Sequence, residues 1–134
     1  MSEDQKTEPS DFASVADFNS LYSSYTEARK GKRWKYAVCK YEANILENLM
    51  FIHFMLTSHK YRLSPYNCFI VKEPKERLIM YNSFRDKIVQ HSLCDNVLEP
   101  VLSKTFIYDN YASQKGKGTH FGLDRLKLFM QKFY

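Results

Sequence analysis

The side chains in this sequence with the clearest capacity for chemistry are its cations, and they are clustered. Lys75 and Arg77 flank Glu76 in a short basic segment that follows Pro74 and separates two apolar stretches. Arg29, Lys30, Lys32, Arg33 and Lys35 place five positive charges around Trp34. Arg85, Lys87 and Gln90 follow on one short stretch, and Lys115 and Lys117 alternate with Gly116 and Gly118 ahead of Thr119. Clustered Lys and Arg hold phosphates, glycine lets the backbone approach one closely, and a helix opening at Thr119 would offer free N–H groups to an anion. The Gly116 to Thr119 run lacks the G-x-x-x-x-G-K spacing of a nucleotide-binding loop. Taken one at a time, a solvated turn, a basic linker, a charged helical face and a capped glycine turn account for these clusters equally well.

Other chemistries find little footing. His53, His59, His91 and His120 show no metal-ligand spacing. Within its apolar stretch His53 reads as a satisfied core residue. Cys39, Cys68 and Cys94 are far apart and contain no C-x-x-C pair, which argues against a zinc site and against a disulfide framework. They read as small buried hydrophobes. No Ser/His/Asp or Cys/His set stands out, and the only adjacent acids are Glu3 and Asp4. Neither covalent catalysis nor metal-assisted hydrolysis is indicated.

The whole chain agrees with the cations. Its net charge is +5, its isoelectric point is about 9.0, and it carries ten Tyr and ten Phe. Basic residues following phosphates and rings stacking on bases are the means used by single-strand binders. Most of the Phe and about half of the Tyr are expected in the core. A length of 134 residues suits one domain. No apolar run has transmembrane length, and residues 1–10 lack the apolar stretch of a secretory signal, so the expected location is cytoplasmic and no membrane partner is expected.

Periodicity then places the clusters on elements. Residues 1–11 are polar, contain Pro9, and are expected to be a disordered arm. A first helix, capped by Asp11 or Ser14, is predicted through Leu21, Tyr22 and Tyr25 to about Arg29, with Gly31 ending it. A second is predicted from about Trp34 to His59, since Ile45, Leu49, Ile52 and Leu56 recur at helical spacing. Residues 68–72 and 77–81 read as two strands joined by a turn with Pro74 at its second position. Ser83 caps a third helix through Ile88, Leu93 and Leu98, which Pro100 should kink or end near Glu99. Residues 106–113 read as extended. A last helix from Thr119 is predicted with Leu123, Leu126, Met130 and Phe133 as its core face, and a chain stopping on that apolar face looks trimmed.

Three segments together carry a resemblance. They are Phe69 to Arg77 with Phe84 to Leu93, then Leu98 to Tyr111, then Ala112 to His120 with Leu123 to Arg125 behind it; residues 28–33 join them. In order and spacing this run is similar to the fingers of RNA-directed DNA polymerases, the reverse transcriptases of group II introns, retrons and diversity-generating retroelements. The resemblance implies an α+β, mostly helical fingers domain over residues 12–134, a short β-hairpin packed on three to four helices, with palm and thumb absent. It implies that Lys75 and Arg77 contact the triphosphate of the incoming deoxynucleotide. A template RNA or RNA/DNA hybrid would meet Arg29, Lys30, Lys32, Arg33, Lys35, Gln90, Lys115 and Lys117, while Arg85 and Asp86 brace the fingers. It also implies Mg2+ in the complete polymerase, held by an aspartate and a Tyr-x-Asp-Asp turn. Those carboxylates do not occur in this sequence, so this chain has no catalytic residue or cofactor of its own. Two rivals stand beside this reading: an interaction module that self-associates through Leu126, Met130 and Phe133, and a stand-alone RNA-binding module.

Overall fold

The computed structural model describes residues 11–112, 114 and 116–133. In chain order the elements are α1 (Asp11–Ala16), α2 (Phe18–Arg29), α3 (Tyr36–Glu42), α4 (Ile45–Thr57), β1 (Asn67–Val71), β2 (Arg77–Tyr81), α5 (Phe84–Leu93), a π-helical turn (Cys94–Leu98), α6 (Glu99–Leu102) and α7 (Thr119–Phe133). The fold is therefore α+β and mostly helical, with one antiparallel pair of strands. Among the described residues no helix is long and apolar enough to cross a membrane. The chain divides into two compact units, one reaching Pro100 and one starting at Val101. The polar arm expected over residues 1–11 lies outside the described residues except for Asp11, which opens α1.

In the first unit Leu21, Tyr25 and Ala28 of α2 face Leu49, Ile52 and Leu56 of α4, and Ile88 of α5 closes the cluster. These positions recur at helical spacing, so each helix turns one stripe inward. Full burial of a Leu or Ile contributes about 1.5–3 kcal/mol, which makes this small cluster the main driving force for the unit. The first predicted helix is divided at Asp17, whose carboxylate accepts from Ser20 N at 3.1 Å and caps α2. The carbonyls left at the end of α1 are taken up by the core: Ser92 Oγ donates to Val15 O and His53 Nδ1 donates to Ala16 O, both at 2.8 Å. His53 is thus hydrogen-bonded as expected, but it is only half-buried at the edge of the core.

The second predicted helix is two. Asn44 (φ −129°, ψ 47°) leaves helical space between α3 and α4, and Asn48 Nδ2 donates to the freed Tyr41 carbonyl at 2.9 Å. Gly31 takes φ +67° just past α2, the left-handed conformation that a β-carbon disfavours, as expected of a terminating glycine.

The hairpin forms where expected, in register from Asn67 opposite Tyr81 to Val71 opposite Arg77. It is less packed than expected. Both strands are exposed along most of their length and contact each other far more than any helix. Side chains alternate across the ribbon, so Cys68, Ile70, Leu78 and Met80 share one apolar outer face. Cys39, Cys68 and Cys94 are all exposed, contrary to the expectation of buried thiols.

Ser83 caps α5 as predicted, its Oγ accepting from Asp86 N. Pro100 does not end the helical path. Its ring would crowd the carbonyl of Asn96 four residues earlier, and a π-helical turn widens the path there, with Glu99 N bonded to Cys94 O.

In the second unit residues 106–112 form turns rather than an extended strand. Asp109 bonds Arg125 of α7 twice, at 2.8 and 3.2 Å, and Tyr111 Oη donates to Asp109 at 2.7 Å. Gly122 of α7 lies under the Tyr111 ring, the close approach a glycine permits. Helix α7 buries none of its residues fully, so Leu123, Leu126, Met130 and Phe133 are exposed rather than the core face expected of them.

Candidate nucleic-acid interface

A groove of about 1050 Å³ opens in the first unit where α3, the start of α4, the base of the hairpin and the start of α5 meet. Its cations are Lys35, Lys40, Arg85 and Lys87. Its rings are Tyr41, Phe69, Tyr81 and Phe84. Asn44, Asn48, Asn67 and Asn82 add four carboxamides, and among the described residues no carboxylate lines it.

Each class is positioned by the elements just described. Residues of the same parity on the ribbon share a face, so Asn67 and Phe69 of β1 stand with Tyr81 of β2 on the side toward the groove. Phe69 and Tyr81 meet edge to face at 5.9 Å and remain about half exposed, 50% and 44%. Tyr41 and Phe84, edge to face at 5.3 Å, are half-buried and connect the groove to the core through Tyr25. Arg85 and Lys87 come from the first turns of α5, where the helix dipole opposes positive charge. The Lys87 ammonium lies 5.7 Å from the centre of the Tyr81 ring.

The electrostatics favour anions. Asp86, wholly buried behind the groove, lies 3.9 Å from Arg85 Nε. Burial pushes its pKa up, but hydrogen bonds from Tyr61, Ser83 and Ser64 outweigh that and hold it below the usual carboxylate range. Burial first, then the hydrogen bond to Asp86, raises the Tyr61 hydroxyl, which stays protonated as a donor. The Tyr41 hydroxyl is raised by burial and has no hydrogen-bond partner among the described residues.

The structure gathers the residues singled out in the sequence only in part. Lys35 lines the groove. Arg77 shares the ribbon face that carries Phe69 and Tyr81, about 13 Å along the strand from Tyr81, and is exposed. Lys75 is exposed in the loop at the hairpin's end. Arg29 is turned inward onto Tyr25 and Glu42. Lys30 pairs with Glu27, and Lys32 Nζ donates to Ala28 O at 3.4 Å. Arg33 is exposed and does not line the groove, and Gln90 is half-buried one turn beyond Lys87. Lys117, in the second unit, donates to Tyr108 O at 2.6 Å and lies over the Tyr108 ring at 4.2 Å. Lys115 lies outside the described residues.

Sequence reasoning missed Lys40, the four asparagines and the ring set, and it gave Arg85 and Asp86 no more than a bracing part. Two signals were present. Phe69 and Tyr81 fall on the same parity of paired strands, and two cations stand at a helix start where the dipole disfavours them.

Among the described residues no three His, Cys, Asp or Glu side chains are grouped to hold a metal ion. Comparison with protein-family models and with curated proteins finds no match.

Proposed function

We propose that this chain grips a single nucleic-acid strand in the groove at the base of its hairpin, as the fingers of an RNA-directed DNA polymerase. One observation carries the reading: four cations and four rings share a groove that no carboxylate lines among the described residues. Cations follow a phosphate backbone, rings accept bases face to face, and carboxamides can reach base edges. The hairpin supports the finer part. Arg77 stands on its groove-side face and Lys75 at its end, and both are exposed, so a triphosphate seated beyond the strand would meet them. Nucleotidyl transfer itself needs metal-bound carboxylates, which would come from residues other than these.

Fluorescence anisotropy with a labelled 12-nucleotide single-stranded RNA tests the reading. Binding is expected with Kd on the order of 10 μM and a log–log salt slope of about −2 to −3, for three or four phosphates neutralised on a single strand. Absence of binding at 50 mM salt would overturn it. In a polymerase carrying these fingers, Lys75→Ala with Arg77→Ala should raise the nucleotide KM and leave folding intact; unchanged nucleotide kinetics would remove the assigned role.

A second reading has its own observation. Leu123, Leu126 and Met130 form an exposed apolar stripe on α7, as a self-associating module would. Sedimentation separates the two: concentration-dependent dimerisation without RNA affinity favours the module.

A further inference from the structure

Arg85 is held in the groove by a loop that a buried acid fixes from behind. Asp86 accepts from Tyr61 Oη at 2.6 Å, from Ser83 Oγ at 2.7 Å and from Ser64 N at 3.0 Å. All three donors are neutral. The Arg85 Nε lies 3.9 Å from Asp86 Oδ1, beyond hydrogen-bond reach, so the acid anchors the 61–64 loop without clamping the guanidinium. The guanidinium instead donates from Nη2 to Ser64 Oγ at 2.9 Å, with its carbon 5.7 Å from the centre of the Tyr61 ring and 5.9 Å from that of Phe51. Ser64 thus works at both ends: its backbone N–H is held by Asp86, and its hydroxyl holds Arg85. The guanidinium of Arg85 carries five N–H donors, and its side chain stays 35% exposed and lines the groove, so donors remain for a ligand beside the bond to Ser64.

We propose that Ser64, Tyr61 and Asp86 are positioning residues that preset the Arg85 guanidinium against one phosphodiester of the bound strand. The inference rests on the groove reading above and specifies how its affinity arises. An unrestrained Arg loses rotamer freedom when it binds, whereas one fixed by Ser64 and two rings has lost most of it beforehand. The free edge of the planar fork matches two phosphate oxygens, which an ammonium cannot match in the same way.

The test uses the labelled 12-nucleotide RNA with the full chain, over a salt series. Arg85→Ala should weaken binding about tenfold and make the salt slope shallower by about 0.7, the share of one phosphate on a single strand. Ser64→Ala keeps the charge and keeps the backbone anchor on Asp86. It should weaken binding several-fold at unchanged slope, with a small drop in Tm because the hydroxyl also accepts from Ser83 Oγ at 3.5 Å, and add nothing to the affinity loss in the Arg85→Ala background. Arg85→Lys, with charge but no fork, should keep the slope and lose affinity. Should Arg85→Ala fail to fold, Ser64→Ala and Arg85→Lys still decide. If the wild-type chain binds no RNA, the groove reading falls and this one with it. If it binds and neither Arg85 variant changes affinity, the clamp alone is wrong. If Ser64→Ala is without effect, or is additive with Arg85→Ala, the positioning role is wrong.

Discussion

Arg29 Nη1 lies 3.1 Å from Glu42 Oε1, and Tyr25 Oη sits between them, accepting from Arg29 and donating to Glu42 at 2.8 Å. The trio ties α2 to α3. It takes Arg29 out of the run of basic residues that reads, in the sequence, as one continuous contact surface. Burial pushes the Tyr25 hydroxyl up despite the Arg29 hydrogen bond, so it remains protonated and keeps donating.

Arg29→Ala and Lys35→Ala should therefore separate. Losing Arg29 removes the bridge and lowers the Tm, with less than about a twofold change in RNA affinity, since its charge already faces a carboxylate. Losing Lys35 leaves the Tm alone, weakens RNA binding and makes the salt slope shallower. Melting curves and anisotropy on both variants check this; RNA affinity lost with Arg29 at unchanged Tm would contradict the structural role.

Asp86 makes a pH prediction. Its folded pKa lies below its unfolded value, so the stability it contributes is fully present above the unfolded pKa, near 4, and is lost as pH falls through the folded one. Asp86→Ala strands the Tyr61, Ser83 and Ser64 donors and should cost about 3 kcal/mol at pH 7. The gap between wild type and variant should hold constant from pH 5 to 8 and narrow below about pH 4. Chemical denaturation across that range measures it, and a gap that changed between pH 6 and 8 would assign the effect to another group.

The Tyr41 hydroxyl offers the opposite case. It is buried with no partner among the described residues, and its ring packs on Phe84. Tyr41→Phe removes an unpaired polar atom and keeps the ring, so stability should rise by up to about 1 kcal/mol while RNA affinity stays the same. A loss of stability in denaturant melts would mean that the hydroxyl is satisfied.

These residues also mark what the sequence discloses and what it hides. Signals carried within a few residues were legible: Ser83 caps α5, Gly31 ends the α2 region, and Pro74 sits between two strands of alternating parity. Breaks without a Gly or Pro were not. Asn44 interrupts an apolar pattern that runs on unchanged, because Asn48 can satisfy the freed Tyr41 carbonyl from the next helix. The three thiols were misread because burial depends on which face finds a partner, and Cys68 lies on the ribbon face that finds none among the described residues. The groove was legible only as a set of types. Periodicity puts Phe69 and Tyr81 on one face, but that Lys35, Tyr41 and Arg85 face the same space is a consequence of packing between distant segments.

In the second unit Gly122 and Tyr111 make the last prediction. A β-carbon at residue 122 would meet Tyr111 Cδ2 at 3.1 Å, and that ring is fixed by its hydroxyl on Asp109 and by Phe121 at 5.8 Å. In a free helix interior Gly→Ala is worth about 1 kcal/mol of helix stability. Here the ring must give way, so Gly122→Ala alone should slow α7 amide hydrogen exchange little or not at all. With Tyr111→Ala removing the ring, the same substitution should slow exchange by about fivefold, the rate equivalent of the full helix propensity. An equal gain in both backgrounds would show that the Tyr111 ring does not constrain residue 122.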